Sequence, residues 1–350
     1  MLIIEGGNME RRMKMRRMLI LFFLSIFTFQ FSMSAQLKLT PEEEQQFTYY
    51  WYAARLAVTE ERFADAYALL EFCHMIKPDD GTTLTFLGVL YDGMGQKEKA
   101  IEMYRQAFEA APRDQWYKYT EALLAQRDYK QALSVLEQAY GVQSGKDATR
   151  EKKTRKREEK GQVDQDLLEQ LKRMYIAHEQ WEKALGIQDE LDGQRGFDAY
   201  SALSRYRIYA MWGKTKKAIE VLDRYLETDP TNVQFLLFRL ELMERSGARQ
   251  AELYAMYRRI LELDPYNTAV LNNYAYHLAT HGGDLKEAEK MSALTIREQP
   301  DNPVYLDTYG WILHLQGQDS LAKFYLRKAL QNAAEDSKTE ILQHLKEIER

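Results

Sequence analysis

The chain has 350 residues, 45% hydrophobic and 29% charged, with seven prolines, a single cysteine and a formal net charge of −5. That balance excludes global disorder, and an acidic chain is a poor nucleic-acid binder. One cysteine, Cys73, excludes an internal disulfide in any redox compartment.

The first element is a leader-like segment over residues 1–35. Met9–Met18 reads MERRMKMRRM, a basic stretch, and is followed by the apolar run LILFFLSIFTF over Leu19–Phe29. Small residues then offer a cleavage point after Ala35. Eleven apolar residues suit a secretory signal peptide better than a spanning helix, which needs about 20. An uncleaved anchor is the alternative. With these residues removed, which carry a net +3, the remainder stands near −8. The expected setting is therefore export, with a periplasmic or envelope-associated location.

From residue 36 onward the chain repeats itself. A small residue opening an amphipathic helix falls at Ala66, Ala100, Ala132, Ala184, Ala218, Leu253, Ala288 and Ala322. The intervals are 34, 32, 52, 34, 35, 35 and 34. Pro78, Pro112, Pro230, Pro265 and Pro300 each lie 12 residues after a marked position, where proline stops one helix before the next begins. Such a period predicts stacked pairs of antiparallel helices, each with an apolar face that a single pair cannot bury alone. In the second pair, Leu84, Leu87 and Tyr91 form one stripe, and Ala100, Tyr104 and Ala107 its partner. Gly88 and Ala100 are small where the two helices cross. Leu253 breaks the pattern, which predicts looser packing in the sixth pair.

The pattern Leu84, Leu87-Gly88, Tyr91, Ala100, Tyr104, Ala107, Pro112, repeated at Leu306, Tyr309-Gly310, Leu313, Ala322, Leu326 and Ala329, resembles the tetratricopeptide repeat. The resemblance runs from about Phe47 to Leu330. It implies an all-α, right-handed superhelical solenoid of about eight helix-turn-helix repeats. Units 1–3 would span residues 36–140 and units 4–8 residues 166–331. Residues 332–350 would form a C-terminal capping helix. There Ser337 and Glu340 form a candidate capping box, with Ile341, Leu345 and Ile348 as the apolar stripe. An incomplete ninth unit is the other reading.

Between units 3 and 4 lies an insertion over residues 141–165, with the charged run TREKKTRKREEK over Thr149–Lys160. Its seven basic residues are interleaved with three glutamates and no aromatic residue, which describes a solvated segment and not a nucleic-acid grip. Peripheral contact with anionic lipid headgroups is the functional alternative.

Enzymatic motifs are weak. Gly141–Asp147 lacks the glycine spacing and hydroxyl residue of a phosphate loop, and Cys73 sits at a core position of small residues. His277 and His281 are four apart, as metal ligands on one helix face would be, but no zinc-protease glutamate follows the first. No cofactor or metal is expected. By position, the resemblance implies that the first helix of each pair lines a concave groove. Trp51, Tyr52, Arg55, Thr85, Phe86 and Asp92 would be exposed there in the first two units. Asn272, Asn273, Tyr276, Asp307, Thr308, Trp311 and His314 would be exposed in the last two. Amides and rings together suit an extended peptide, so the expected role is non-catalytic scaffolding, with each groove residue serving either binding or packing. The Lys–Asn pairing by which chaperone-binding members of that family clamp a terminal carboxylate is not present at these positions. A glycan- or small-ligand-binding receptor component, or an accessory domain to an enzyme on another chain, is the rival reading.

Overall fold

A computed structural model of the chain describes residues 39–144 and 163–349. The leader-like segment and the charged run Thr149–Lys160 lie outside the described residues. Those residues form seventeen α-helices and a 3-10 turn, with no strand among them. The helices follow one another as α1 Pro41–Thr59, α2 Phe63–Ile76, α3 Gly81–Gly93, α4 Lys97–Ala110, α5 Trp116–Ala125 and α6 Tyr129–Ser144. Next come α7 Gln165–Ala177, α8 Trp181–Arg195, α9 Ala199–Met211, α10 Thr215–Leu226, α11 Val233–Arg245 and α12 Gln250–Leu263. The last are α13 Thr268–Thr280, α14 Leu285–Glu298, α15 Pro303–Leu315, α16 Asp319–Asn332 and α17 Lys338–Ile348. They form eight consecutive pairs and a closing helix. No described helix is long and apolar enough to cross a membrane.

The two helices of a pair start by different rules. Seven of the eight first helices open on a side-chain cap: Thr40, Asp80, Asp164, Asp198, Asn232, Asn267 and Asn302 each accept a first-turn amide hydrogen bond. Thr40 and Glu43 complete a reciprocal capping box. Most second helices lack such a cap and follow a turn closed by the backbone. Arg62 N donates to Ala57 O at 2.8 Å, Gln96 N to Tyr91 O at 2.9 Å and Gln318 N to Leu313 O at 2.8 Å. This closure requires one residue in the left-handed region. Gly95, Gly213, Gly247, Gly282 and Gly317 supply it in five pairs; Glu61, Arg127 and Glu179 supply it in the others, with φ between 55° and 63°.

The crossing positions are as tight as their small residues imply. The seven marked alanines are at most 2% exposed. A Cβ on Gly88 would meet Tyr104 Cε1 at 2.5 Å, and one on Gly310 would meet Leu326 Cγ at 2.8 Å. Leu253, at the same register, is buried in a cluster with Leu236, Leu240, Tyr257 and Tyr274. Cys73 is fully buried, and burial pushes its thiol up to about 12.

The described chain falls into two compact units, divided between Arg195 and Gly196. The division comes after the fourth pair, not at the charged run. In the first unit α6 continues to Ser144, past the boundary at residue 140 inferred from the sequence. Its Tyr140 hydroxyl donates to Glu190 at 2.6 Å, while Tyr175 on α7 donates to Glu137 on α6 at 2.9 Å. The third and fourth pairs are therefore stacked, although the insertion separates them in sequence.

In the second unit, core clusters run from Ala202 and Tyr206 through the Tyr257–Tyr274 stack to a final cluster around Leu306, Leu326 and Ala329. Ile341, Leu345 and Ile348 of α17 are buried in that last cluster. The expected capping box of α17 does not form. Ser337 closes the 3-10 turn Glu335–Ser337 with φ −91° and ψ −8°, already helical, and its side chain makes no capping bond. A cap needs extended backbone at that position.

Candidate interaction surface on the first helices

In the first unit α1 meets α3 and in the second α13 meets α15, and these contacts decide which expected groove residues reach solvent. In the N-terminal unit Trp51 on α1 meets Phe86 on α3 edge to face, with ring centroids 6.1 Å apart. Both are buried. The Arg55 guanidinium lies 4.8 Å over the Trp51 ring, and the Thr85 hydroxyl donates to Gln115 at 2.6 Å. Trp51, Thr85 and Phe86 are thus spent on the seam between pairs, which corrects their expected exposure. Arg55 and Asp92 are half-buried and Tyr52 is exposed.

The C-terminal unit brings more of the expected residues together. Asn272, Asp307 and Thr308 are buried, again against expectation, and Asp307 faces His344 of α17. Asn273 is exposed, and Tyr276, Trp311 and His314 are half-buried. The closing helix joins them. The Trp311 ring stacks on His344 at 4.3 Å with 20° between planes, and lies 5.1 Å from His314. Asp307 Oδ1 is 3.0 Å from His344 Nδ1, and the Tyr276 hydroxyl donates to Glu340 at 3.4 Å. His314 Nδ1 pairs with Asp319 at 2.7 Å.

Charge in this patch is mainly negative. Burial alone would lower the pKa of His344, but the hydrogen bond it donates to Asp307 and the charges of Asp307, Glu340 and Glu347 outweigh it and hold the imidazole above its usual value. Burial, then the carboxylates of Glu340 and Asp307, push the Tyr276 hydroxyl upward. The sequence reading gave Glu340 to a capping box and the rest of α17 to shielding the stack, and so missed Glu340 and His344 as members of this patch. Their four-residue spacing beside the stripe Ile341 and Leu345 was the available signal.

His277 and His281 do not form a metal centre with a third donor among the described residues. Their rings stack at 5.3 Å, and His281 Nδ1 lies 3.1 Å from the His277 carbonyl oxygen. The one group of three histidine, cysteine or carboxylate donors among those residues is Asp307, Glu340 and His344.

Residues 82–114, which span the second pair, match the family model described as Tetratricopeptide repeat. The other pairs repeat that two-helix unit, so the described residues are all-α and built of helix pairs similar to the tetratricopeptide repeat. It is 31% identical to a TPR repeat-containing protein of Pseudomonas aeruginosa over 33% of this chain and 20% of that protein. It is 30% identical to the photosystem I assembly protein Ycf3 of Cyanophora paradoxa over 27% of this chain and 63% of that protein. The chain thus spans less than two thirds of either relative. Among solved structures, a tetratricopeptide repeat protein from Parabacteroides merdae aligns at 13% identity and a TM-score of 0.39, over 87% of this chain and all of that one. The C-terminal part of a TPR repeat-containing protein from Cytophaga hutchinsonii aligns at 15% identity and a TM-score of 0.49, over 74% and 98%. Repeats of this kind generally mediate protein–protein interaction.

Proposed function

We propose that this protein is a non-catalytic scaffold that holds an extended segment of a partner protein along the first helices of its C-terminal unit, in the cell envelope. The observation that carries the reading is the connected patch of Tyr276, Trp311, His314, Glu340 and His344, with Asn273 exposed on the same helix as Tyr276. Flat rings in this patch cover apolar side chains of a bound segment, while the amide and carboxylates bond its backbone N–H groups. The negative balance favours a segment with basic residues. The envelope setting rests on the leader-like residues 1–35 and connects the scaffold to assembly or secretion there.

The test is affinity capture from envelope extracts with the full chain and with Tyr276→Ala, followed by glycan-array binding. One stoichiometric protein recovered by the wild type and lost with the variant supports the proposal. Binding to glycans with no protein recovered replaces it with a receptor role.

A further inference from the structure

Asp307, Glu340 and His344 place two carboxylates and one imidazole from two packed helices on a common point. Their donor atoms all lie within 4.8 Å of one another. We propose that these three side chains bind one divalent transition-metal ion of the zinc type, clasping α17 to the last helix pair. Glu340 and His344 are four apart on α17, so one face of that helix offers two donors, and Asp307 on α15 supplies the third. The 3.0 Å between Asp307 Oδ1 and His344 Nδ1 is close to the roughly 3.3 Å edge of a tetrahedron built with zinc bonds of about 2.0–2.1 Å. Glu340 is exposed and free of the core, so its carboxylate closes the remaining distance by a change of rotamer.

The surroundings hold the donors in place as a metal site requires. The Trp311 ring stacked at 4.3 Å fixes the plane of the imidazole, and Asp307 holds its Nδ1 edge. Asp307 is buried with His344 as its polar partner, and Glu347 adds a further negative charge nearby. A cation replaces the proton held between Nδ1 and Oδ1 and offsets the clustered carboxylates. One nitrogen and two oxygens suit zinc, cobalt or nickel; calcium requires more oxygen donors than this cluster offers, and magnesium prefers an all-oxygen octahedron to an imidazole. Three protein donors leave a coordination position for water or for a donor from a bound chain. The site does not depend on the peptide-binding proposal, because its test contains no partner.

The full chain, stripped with a chelator and dialysed, is titrated with ZnCl2 in a calorimeter against a background of Mg2+, and with CoCl2 in a spectrophotometer. The expected result is one saturable site, a cobalt spectrum of tetrahedral type and a zinc-dependent rise in melting temperature. Glu340→Gln and Asp307→Asn each weaken binding by about tenfold or more, while His281→Asn leaves it unchanged. Glu340→Gln is decisive, since this exposed side chain is not part of the core and the variant folds. The proposal is overturned by no saturable binding up to about 1 mM, or by zinc binding that Glu340→Gln and Asp307→Asn leave intact.

Discussion

A methyl group added at two helical glycines of the first unit gives effects of opposite sign. Gly88 lies in α3 and Gly186 in α8, and each loses about 0.5–1 kcal/mol of helix stability relative to alanine through backbone freedom. At Gly186 a Cβ meets nothing within 4 Å, so Gly186→Ala gains that amount in full. At Gly88 the same Cβ would stand 2.5, 2.7 and 3.1 Å from Cε1, Cδ1 and Cζ of Tyr104. These atoms belong to one edge of a ring that is itself 4% exposed, so neither a ring flip nor an outward swing relieves the clash. The two helices must separate instead, at a cost of about 1–3 kcal/mol for overpacking. The net expectation is a loss of roughly 0.5–2 kcal/mol for Gly88→Ala and a gain of about 0.5–1 kcal/mol for Gly186→Ala. Urea unfolding followed by circular dichroism at fixed denaturant slope reads both as shifts of midpoint in opposite directions. A Gly88→Ala variant as stable as Gly186→Ala would refute the claim that α3 and α4 approach too closely for a Cβ.

Three further outcomes follow from the geometry. At the left-handed turns, Arg127→Gly and Glu179→Gly each stabilise by about 0.5–1 kcal/mol, and Gly247→Ala costs a similar amount, because nothing lies within 4 Å of its Cβ; thermal melts compare all three. Burial, with a smaller contribution from His281, outweighs the charge of Glu244 and holds His277 below its ordinary value of 6.5. The unfolded chain therefore takes the proton first, and wild-type stability falls as the pH drops below about 6.5, whereas His277→Asn loses less between about pH 7.5 and 5.5. Trp311→Ala removes the stack on His344, so hydrogen exchange of α17 rises while that of α13 and α14 is unchanged, and partner capture weakens.

The repeat was legible because its signals are local. A small residue opposite Gly88 and a proline two residues beyond Ile76 or Ala110 report on their own helix pair, and the structure places them as the spacing implies. Groove exposure was not legible in the same way. Whether Trp51, Thr85 or Phe86 reaches solvent depends on how close the next first helix comes, a distance that sequence spacing along one helix does not contain. Glu61, Arg127 and Glu179 were silent for a related reason: their backbone geometry is imposed by closure of the turn against residue preference. At Ser337 the local motif was present, but a 3-10 turn had already used the backbone that the cap required. Glu340 and His344 were hidden by the shielding role assigned to their neighbours Ile341 and Leu345.

The turn closed by a bond across five residues has a consequence for how the chain is made. The reversal inside each pair is completed within that pair, so no pair waits for a distant segment before its two helices meet. Such local topology folds quickly, and nucleation can begin in any of several pairs. As the chain emerges, from the ribosome or on the far side of the membrane, each pair can close once both its helices are out, and within a unit the next pair docks onto a surface already formed. The final seam, where α17 covers the last pair, then marks the completion of the second unit.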